Sequence, residues 1–235
     1  SQPPWPDSFN ATTLNQVPFH PQEQYQCGPA SLAMMLNAQD IEATPDELVD
    51  RVYLPQRKGA LQVEMVAAAR QYGMLVYPLE PELEHVLKEV RAVVIGYDSA
   101  KGTLILHTGT QESNRQPASV FMATWDRSKR WARVILPPDQ IPATAEPLTF
   151  LMAAHDLETT RQTGAAKSAY SAAAEAWPDQ PAALLGLGNI AYQQGQWSEA
   201  EAYYREMTEK FPDINAGWNN LAEALSKQSL HKESD

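Results

Sequence analysis

The stretch "QEQYQCGPASLAMML", residues 22–36, decides the fold of the first part of this chain. It turns from polar to apolar at Cys27, the only cysteine among 235 residues, and Gly28 and Pro29 follow directly. Proline is favoured in the first turn of a helix, where its missing N–H costs no hydrogen bond. The pattern therefore predicts a helix over residues 29–37, with Cys27 at its N-terminal end.

A cysteine at that place is a candidate nucleophile. The helix dipole and the free backbone N–H groups of the first turn stabilise a thiolate and lower the thiol pKa. The amide of Gln22, with the backbone N–H of Cys27, could form an oxyanion hole, and Gln24 and Gln26 are alternatives for that role. The plain alternative is that Cys27 is an unreactive, buried small residue.

The stretches "VPFHPQEQYQCGPASLAMMLN" and "AVVIGYD" resemble papain-like cysteine peptidases, and among them the bacteriocin-leader (double-glycine) peptidases and their stand-alone relatives. The resemblance covers residues 17–137. It implies a papain-like α+β fold in which Cys27 cleaves a peptide or protein substrate without a cofactor. It also implies a bacterial protein of the cell envelope. The chain starts without a methionine or an apolar signal core, which is typical of a mature form from which an export or lipid-anchor signal has been removed. Together with the family resemblance, this start predicts a periplasmic protein or a membrane-anchored lipoprotein.

The general base of such an enzyme departs from the family pattern. In the family a histidine opens the strand that corresponds to "AVVIGYD", and here that position holds Val90, which cannot move a proton. Three explanations stay open: a loop that carries the histidine is missing from this sequence, a true deletion has left a binding domain with an inactive site, or another base replaces it. The best replacement is His107 in "TLILHTG". The alternative to a peptidase is therefore a non-catalytic adaptor that binds a peptide.

The remainder of the first part predicts a mixed α+β domain over residues 17–142, after an extended N-terminal tail over 1–16. A stretch with four prolines, "PPDQIPATAEP", marks its end. The predicted elements after the first helix are a helix over 62–72 ended by Gly73, a strand at 74–79, a helix from Pro81, hairpin strands at 91–98 and 103–109, a helix over 120–125 and a strand at 131–138.

The second part, residues 143–235, carries a repeat of 34 residues. Five pairs of similar residues keep this interval, including Tyr170 with Tyr204 and Leu187 with Leu221. The spacing resembles the tetratricopeptide repeat, with two copies and a final helix from residue 215. Small residues at 188 and 200 would let two antiparallel helices approach, with the aromatic ring of residue 204 filling the next gap. Such repeats hold partner proteins.

Charge and composition narrow the partners. The net charge of −11 argues against a nucleic-acid partner, because phosphate binding needs a basic surface. Residues 143–235 contribute −7 of this charge, which favours a basic or neutral protein partner. The sequence has no run of eighteen apolar residues, so it predicts no transmembrane segment. The histidines and the single cysteine have no metal-ligand spacing, so no metal site is expected.

Overall fold

The computed structural model describes residues 11–14, 19, 27–54, 59–60, 62–89, 94–98, 103–108 and 111–234. It divides the chain into two compact units. Unit 1 comprises residues 1–137 and 142–144, and unit 2 comprises residues 138–141 and 145–235. The predicted domain boundary at 142/143 falls in the short stretch where the chain changes units, and it stays a prediction.

Unit 1 combines helices with short strands. Its helices are α1 (Cys27–Asn37), α2 (Pro45–Val52), α3 (Gln62–Gln71), α4 (Leu83–Lys88) and α5 (Ala118–Arg127). Its strands are β1 (Ala11–Thr13), β2 (Tyr53–Leu54), β3 (Gly59–Ala60), β4 (Leu75–Pro78), β5 (Val94–Asp98), β6 (Thr103–Thr108), β7 (Gln111–Pro117) and β8 (Arg133–Leu136). Helices with a small sheet are the composition of a papain-like α+β domain.

The strands form three separate sheets. The order of the four-stranded sheet is β1-β5-β6-β7, whereas β2 pairs with β3 and β4 pairs with β8, and all pairs are antiparallel. The predicted β5–β6 hairpin is confirmed. Residues 11–13, expected in an extended tail, are a strand of this sheet, and β7 and α2 were not anticipated from the sequence.

Two helix boundaries can be compared with the local sequence signals that predicted them. Gly73 follows α3 with a φ of 72°, the left-handed conformation in which glycine, lacking a Cβ, ends a helix at little cost. Helix α4 was expected to begin at Pro81, but it begins at Leu83 and has Glu82 as its N-cap in extended backbone. The expected start was therefore wrong by two residues, and the helix is only six residues long.

Unit 2 is built of five helices within residues 147–234, and each packs against the next. They are α6 (Pro147–Thr159), α7 (Thr163–Ala176), α8 (Pro181–Gln193), α9 (Trp197–Lys210) and α10 (Asn215–Ser234). The first residues of α6, α8 and α10 are 34 positions apart, as are those of α7 and α9. The predicted period is thus confirmed as two helical hairpins followed by a final helix.

The small-residue prediction for unit 2 is also confirmed. A Cβ added at Gly188 on α8 would lie within 2.9 Å of three ring carbons of Tyr204 on α9. Real Cβ atoms are not found so close to other heavy atoms, so only glycine lets the Tyr204 ring lie against this helix. The ring is 2% exposed, and its hydroxyl donates to Asn189 Oδ1 at 2.8 Å. None of the helices in the described ranges could span a membrane.

Candidate functional site

Helix α1 is held in the middle of unit 1. Ala30, Leu32, Ala33, Met34 and Leu36 are all completely buried, so a wide face of the helix is covered by other elements. Its C-terminal end is fixed by the Asn37 side chain, which donates to Ile41 O at 3.0 Å and to Ala43 O at 3.1 Å. Burial of this kind holds the N-terminal end of α1 at a defined place in the unit.

Two of the predicted catalytic residues lie on defined elements. Cys27 is the first residue of α1, with Gly28 and Pro29 in the same first turn. His107 is the last residue but one of β6. Their roles as nucleophile and base stay predictions. Gln22, Gln24, Gln26 and Val90 lie outside the described residues.

A cavity of about 320 Å³ lies beside strand β8 in unit 1, and we call it the edge cavity. Five consecutive residues of this region, Trp131 to Ile135, line it, whereas β4 contributes Val76 alone. Helix α1 contributes Ser31, Leu32 and Met35. Position 27 lies one turn before Ser31, so the two positions are on the same side of the helix. The remaining lining residues are Met65, Val66, Leu79, Val86, Glu89, Phe121 and Trp125.

The wall of the edge cavity is apolar apart from a few polar groups. Glu89 is only 5% exposed, and its Oε1 accepts from the backbone N–H of Thr144 at 2.9 Å and from the Thr144 hydroxyl at 3.3 Å. Arg133 is half-buried, and burial, followed by the nearby positive charge of Arg70, lowers its guanidinium pKa. The cavity therefore pairs an apolar wall with one incompletely solvated cation.

Aromatic residues form the part of the edge-cavity wall that comes from Phe121, Trp125 and Trp131. Trp125 donates its Nε1–H to Trp131 O at 3.0 Å, and its ring lies 5.7 Å from that of Phe121. The guanidinium of Arg130 lies 5.8 Å from the Trp125 ring centroid, and that side chain also donates to Pro81 O at 3.1 Å. These contacts make the wall a preformed surface.

The sequence pointed to the helix around residue 120 and to the strand at 131–138, but not to this cavity. Its lining comes from α1, α3, α4, α5 and the β4–β8 pair, which are spread over about a hundred residues. No local pattern brings such residues together, because only the tertiary packing does so. Among the described residues, no group of three or more His, Cys, Asp or Glu could hold a metal ion.

Unit 2 presents a different kind of surface. On α6, Leu148 is 70% exposed and Met152, one turn later, is 62% exposed. On α10, Trp218 is half-exposed and donates its Nε1–H to Pro212 O at 2.9 Å. Exposed apolar side chains on stacked helices are typical of modules that bind other proteins.

Two family models each match a segment of this chain. Residues 16–111 match the family model described as Peptidase C39 family. Residues 151–214 and 191–234 match the model described as tetratricopeptide repeat. No curated protein and no solved structure matches the chain.

Proposed function

We propose that unit 1 binds an extended peptide and that Cys27 attacks one of its carbonyl carbons. The proposal is supported by the combination of a segment that matches the Peptidase C39 family with C-terminal tetratricopeptide repeats. The observation that carries this proposal is the place of Cys27, at the first position of the buried helix α1 with Gly28 and Pro29 in the same turn. Backbone N–H groups of a first turn have no helical partners and favour an anion. The thiolate is the form of cysteine that attacks a carbonyl.

The proposed reaction needs two further groups. An oxyanion forms when the Cys27 sulfur bonds to the carbonyl carbon, and we assign its stabilisation to Gln22 together with the backbone N–H of Cys27. When the oxyanion collapses, the C–N bond breaks and the leaving amine takes a proton from the second group. Water gives a proton back to the same group as it attacks the thioester, and the C–S bond then breaks to release the product acid and the Cys27 thiolate. We assign these proton transfers to His107, because Val90 stands where the family resemblance expects the histidine.

Alkylation by iodoacetamide tests the nucleophile, and the single cysteine makes the signal specific. We expect the labelling rate of the folded protein to rise with a midpoint at least about one pH unit below the value of roughly 8.5 for a free thiol. The same protein in urea supplies the unperturbed midpoint, and Cys27→Ser supplies the blank. A folded-state midpoint equal to or above the urea value would contradict an activated thiolate.

Peptide hydrolysis tests the base. If His107 transfers the proton, His107→Gln should lower kcat by at least about a hundredfold and should move the pH profile, because general acid–base catalysis contributes factors of that size. His155→Gln is the matched control, since His155 is an exposed residue of α6 that bonds Glu158 at 3.4 Å. Equal loss of activity in both variants would show that His107 has no catalytic role.

The second candidate function is a non-catalytic adaptor that binds a peptide through unit 1. The observation that favours it is Val90 at the position of the expected base, together with an edge cavity that needs no chemistry at Cys27. The adaptor predicts the same peptide affinity for the natural protein and for Cys27→Ser, with no cleavage product by mass spectrometry. Under either function, unit 2 binds a protein partner and places it on the same chain as the peptide.

A further inference from the structure

Strand β8 has an edge to which no described strand is paired. Among the residues that the structure describes, β4 and β8 pair only with each other, in the register Leu75–Leu136 to Pro78–Arg133. An unpaired strand presents a row of backbone N–H and C=O groups that can bond another strand. The edge of β8 that faces away from β4 is called the β8 edge below.

The direction of the backbone groups follows from one hydrogen bond. Leu79 N–H donates to Ala132 O at 3.1 Å, so residue 132 points its backbone groups towards β4. Alternation along an antiparallel pair then directs those of Arg133 and Ile135 to the β8 edge. Gln39, just beyond α1, donates its side-chain amide to Ile135 O at a long 3.4 Å. A side-chain donor thus occupies an acceptor that a neighbouring strand would use.

The edge cavity is lined by residues from both faces of strand β8. Val76 and Ile135 share a face and pack in one cluster with residues of α1, α2 and α3. Val134 points to the opposite face by strand alternation, yet Val134 and Ile135 both line the cavity. A lining that includes residues of both faces fits a cavity that extends beside the strand, at the β8 edge.

The wall chemistry indicates what fits there. The cavity is lined by apolar residues of α1 and α3 and by Val86, Phe121 and Trp125. A strand with apolar residues around it needs apolar side chains on both of its faces, as in the interior strands of a covered sheet. A volume of about 320 Å³ has room for a few such side chains.

Charge complementarity adds one further requirement. The Arg133 guanidinium donates to Ala132 O at 2.8 Å and lies 5.2 Å from the Trp131 ring centroid, at the cavity. The positive charge of Arg70 disfavours the charged form of Arg133 and so lowers its pKa, after the larger effect of burial. A carboxylate on a bound segment would neutralise Arg133 with a charge-assisted hydrogen bond.

We propose that the β8 edge accepts an extended segment of another protein as an added strand, with apolar side chains inserted into the edge cavity and a carboxylate bonded to Arg133. This inference rests on the peptide-binding part of the proposed function and is independent of chemistry at Cys27. Main-chain hydrogen bonds supply affinity in such strand addition, and the side-chain pockets supply selectivity.

The test measures fluorescence anisotropy of labelled hexapeptides with full-length Cys27→Ser, which cannot cleave them. The probe is SVIVDS, acetylated and amidated at its ends, and SVIVKS is its charge-reversed partner. Two further probes carry N-methyl groups on alternate amides, one set on each edge of the extended peptide. We expect SVIVDS to bind at least about tenfold more tightly than SVIVKS. One N-methylated probe should bind like its parent and the other at least about tenfold more weakly, because alternate amides point to opposite edges.

Charge reversal in the protein completes the test. Arg133→Glu should reverse the preference, so that SVIVKS binds more tightly than SVIVDS. Arg127→Glu is the matched control, because Arg127 is exposed on α5, bonds Thr124 at 3.1 Å and should leave the preference unchanged. Circular dichroism checks that each variant is folded, and the N-methylated probes test the same proposal on a protein with both arginines intact.

Four outcomes would overturn the proposal. They are no binding of any probe, equal binding of both N-methylated probes, an unchanged charge preference in folded Arg133→Glu, and a dimer in sedimentation that SVIVDS does not dissociate, which would assign the edge to a second copy. Strand addition without an activated Cys27 thiolate would refute only the catalytic part of the proposed function. An activated thiolate without probe binding would refute only the strand addition.

Discussion

The contact between Gly188 and Tyr204 predicts a large penalty for one methyl group. In Gly188→Ala the new Cβ would lie within 2.9 Å of three ring carbons, whereas carbon atoms pack best at about 3.5–4.0 Å. The ring has little room to retreat, because it is 2% exposed and its hydroxyl is bonded to Asn189. We therefore expect the two hairpin helices α8 and α9 to be forced apart.

The expected size follows from three contributions. Overpacking of a filled core costs about 1–3 kcal/mol. Displacing the ring strains or breaks the Tyr204–Asn189 hydrogen bond, which contributes about 1 kcal/mol. Alanine regains up to about 1 kcal/mol over glycine inside a helix. The free energy of unfolding of unit 2 should fall by about 2 kcal/mol, which corresponds to a Tm lower by about 10 °C for a unit of this size.

Urea denaturation followed by circular dichroism at the helix band measures this change. The matched control is Gly164→Ala on α7, because no described heavy atom lies within 4 Å of the Cβ position there, apart from the chain neighbours and the backbone of the same helix. The control should keep the same stability or gain up to about 1 kcal/mol from helix propensity alone. The two substitutions are chemically identical, so their difference isolates the contact with Tyr204.

One result would refute this reasoning. If Gly188→Ala is as stable as Gly164→Ala, the helices of the second hairpin have room for a methyl group, and the close approach is not a requirement of the fold. A drop in stability that is equally large for both variants would also contradict it, because Gly164 has no neighbour to displace.

Three further predictions concern stability. Burial raises the pKa of the Tyr204 hydroxyl to about 12, above the value of about 10 for an unfolded tyrosine. The stability that comes from this shift is complete below about pH 10 and is lost as the pH rises towards 12. In urea titrations at several pH values, Tyr204→Phe should reduce this alkaline loss of stability. Lys167→Met should change the free energy of unfolding by less than about 1 kcal/mol, since the 2.7 Å ion pair with Glu199 is well exposed to water; a larger drop in calorimetry would contradict this. Thr144→Val should lower stability by about 1 kcal/mol in urea denaturation, because it removes one donor to the buried Glu89, whereas Thr144→Ser should not.

Local signals account for much of the fold that could be predicted. Pro29 and Gly73 each fix the backbone conformation at one end of a helix. The 34-residue interval repeats one helical hairpin along the chain. The hairpin β5–β6 was equally visible, because its two apolar runs are separated by a short polar link. The start of α4 was missed because Pro81 is as compatible with the loop before a helix as with its first turn.

The candidate site was predictable only in part. The sequence indicated that a helix begins near Cys27, because Pro29 favours a helix start, and it made Cys27 a candidate nucleophile. It could not indicate Glu89 or Arg133, since their importance comes from a cavity formed by elements that are distant along the chain. Likewise β1 and β7 lack strong strand patterns, and they are strands because β5 and β6 offer them hydrogen-bonding edges.

The sequence by itself determined the order of the two units, the helix that begins with Cys27 and the periodic helices of unit 2. These features depend on short-range patterns, because backbone preferences and helical spacing act over a few residues. Only the tertiary structure decided that β8 has an edge beside an apolar cavity, and that Glu89 and Arg133 line this cavity. Such features depend on how the side chains of distant elements pack together, and a sequence pattern does not specify where this packing leaves a cavity.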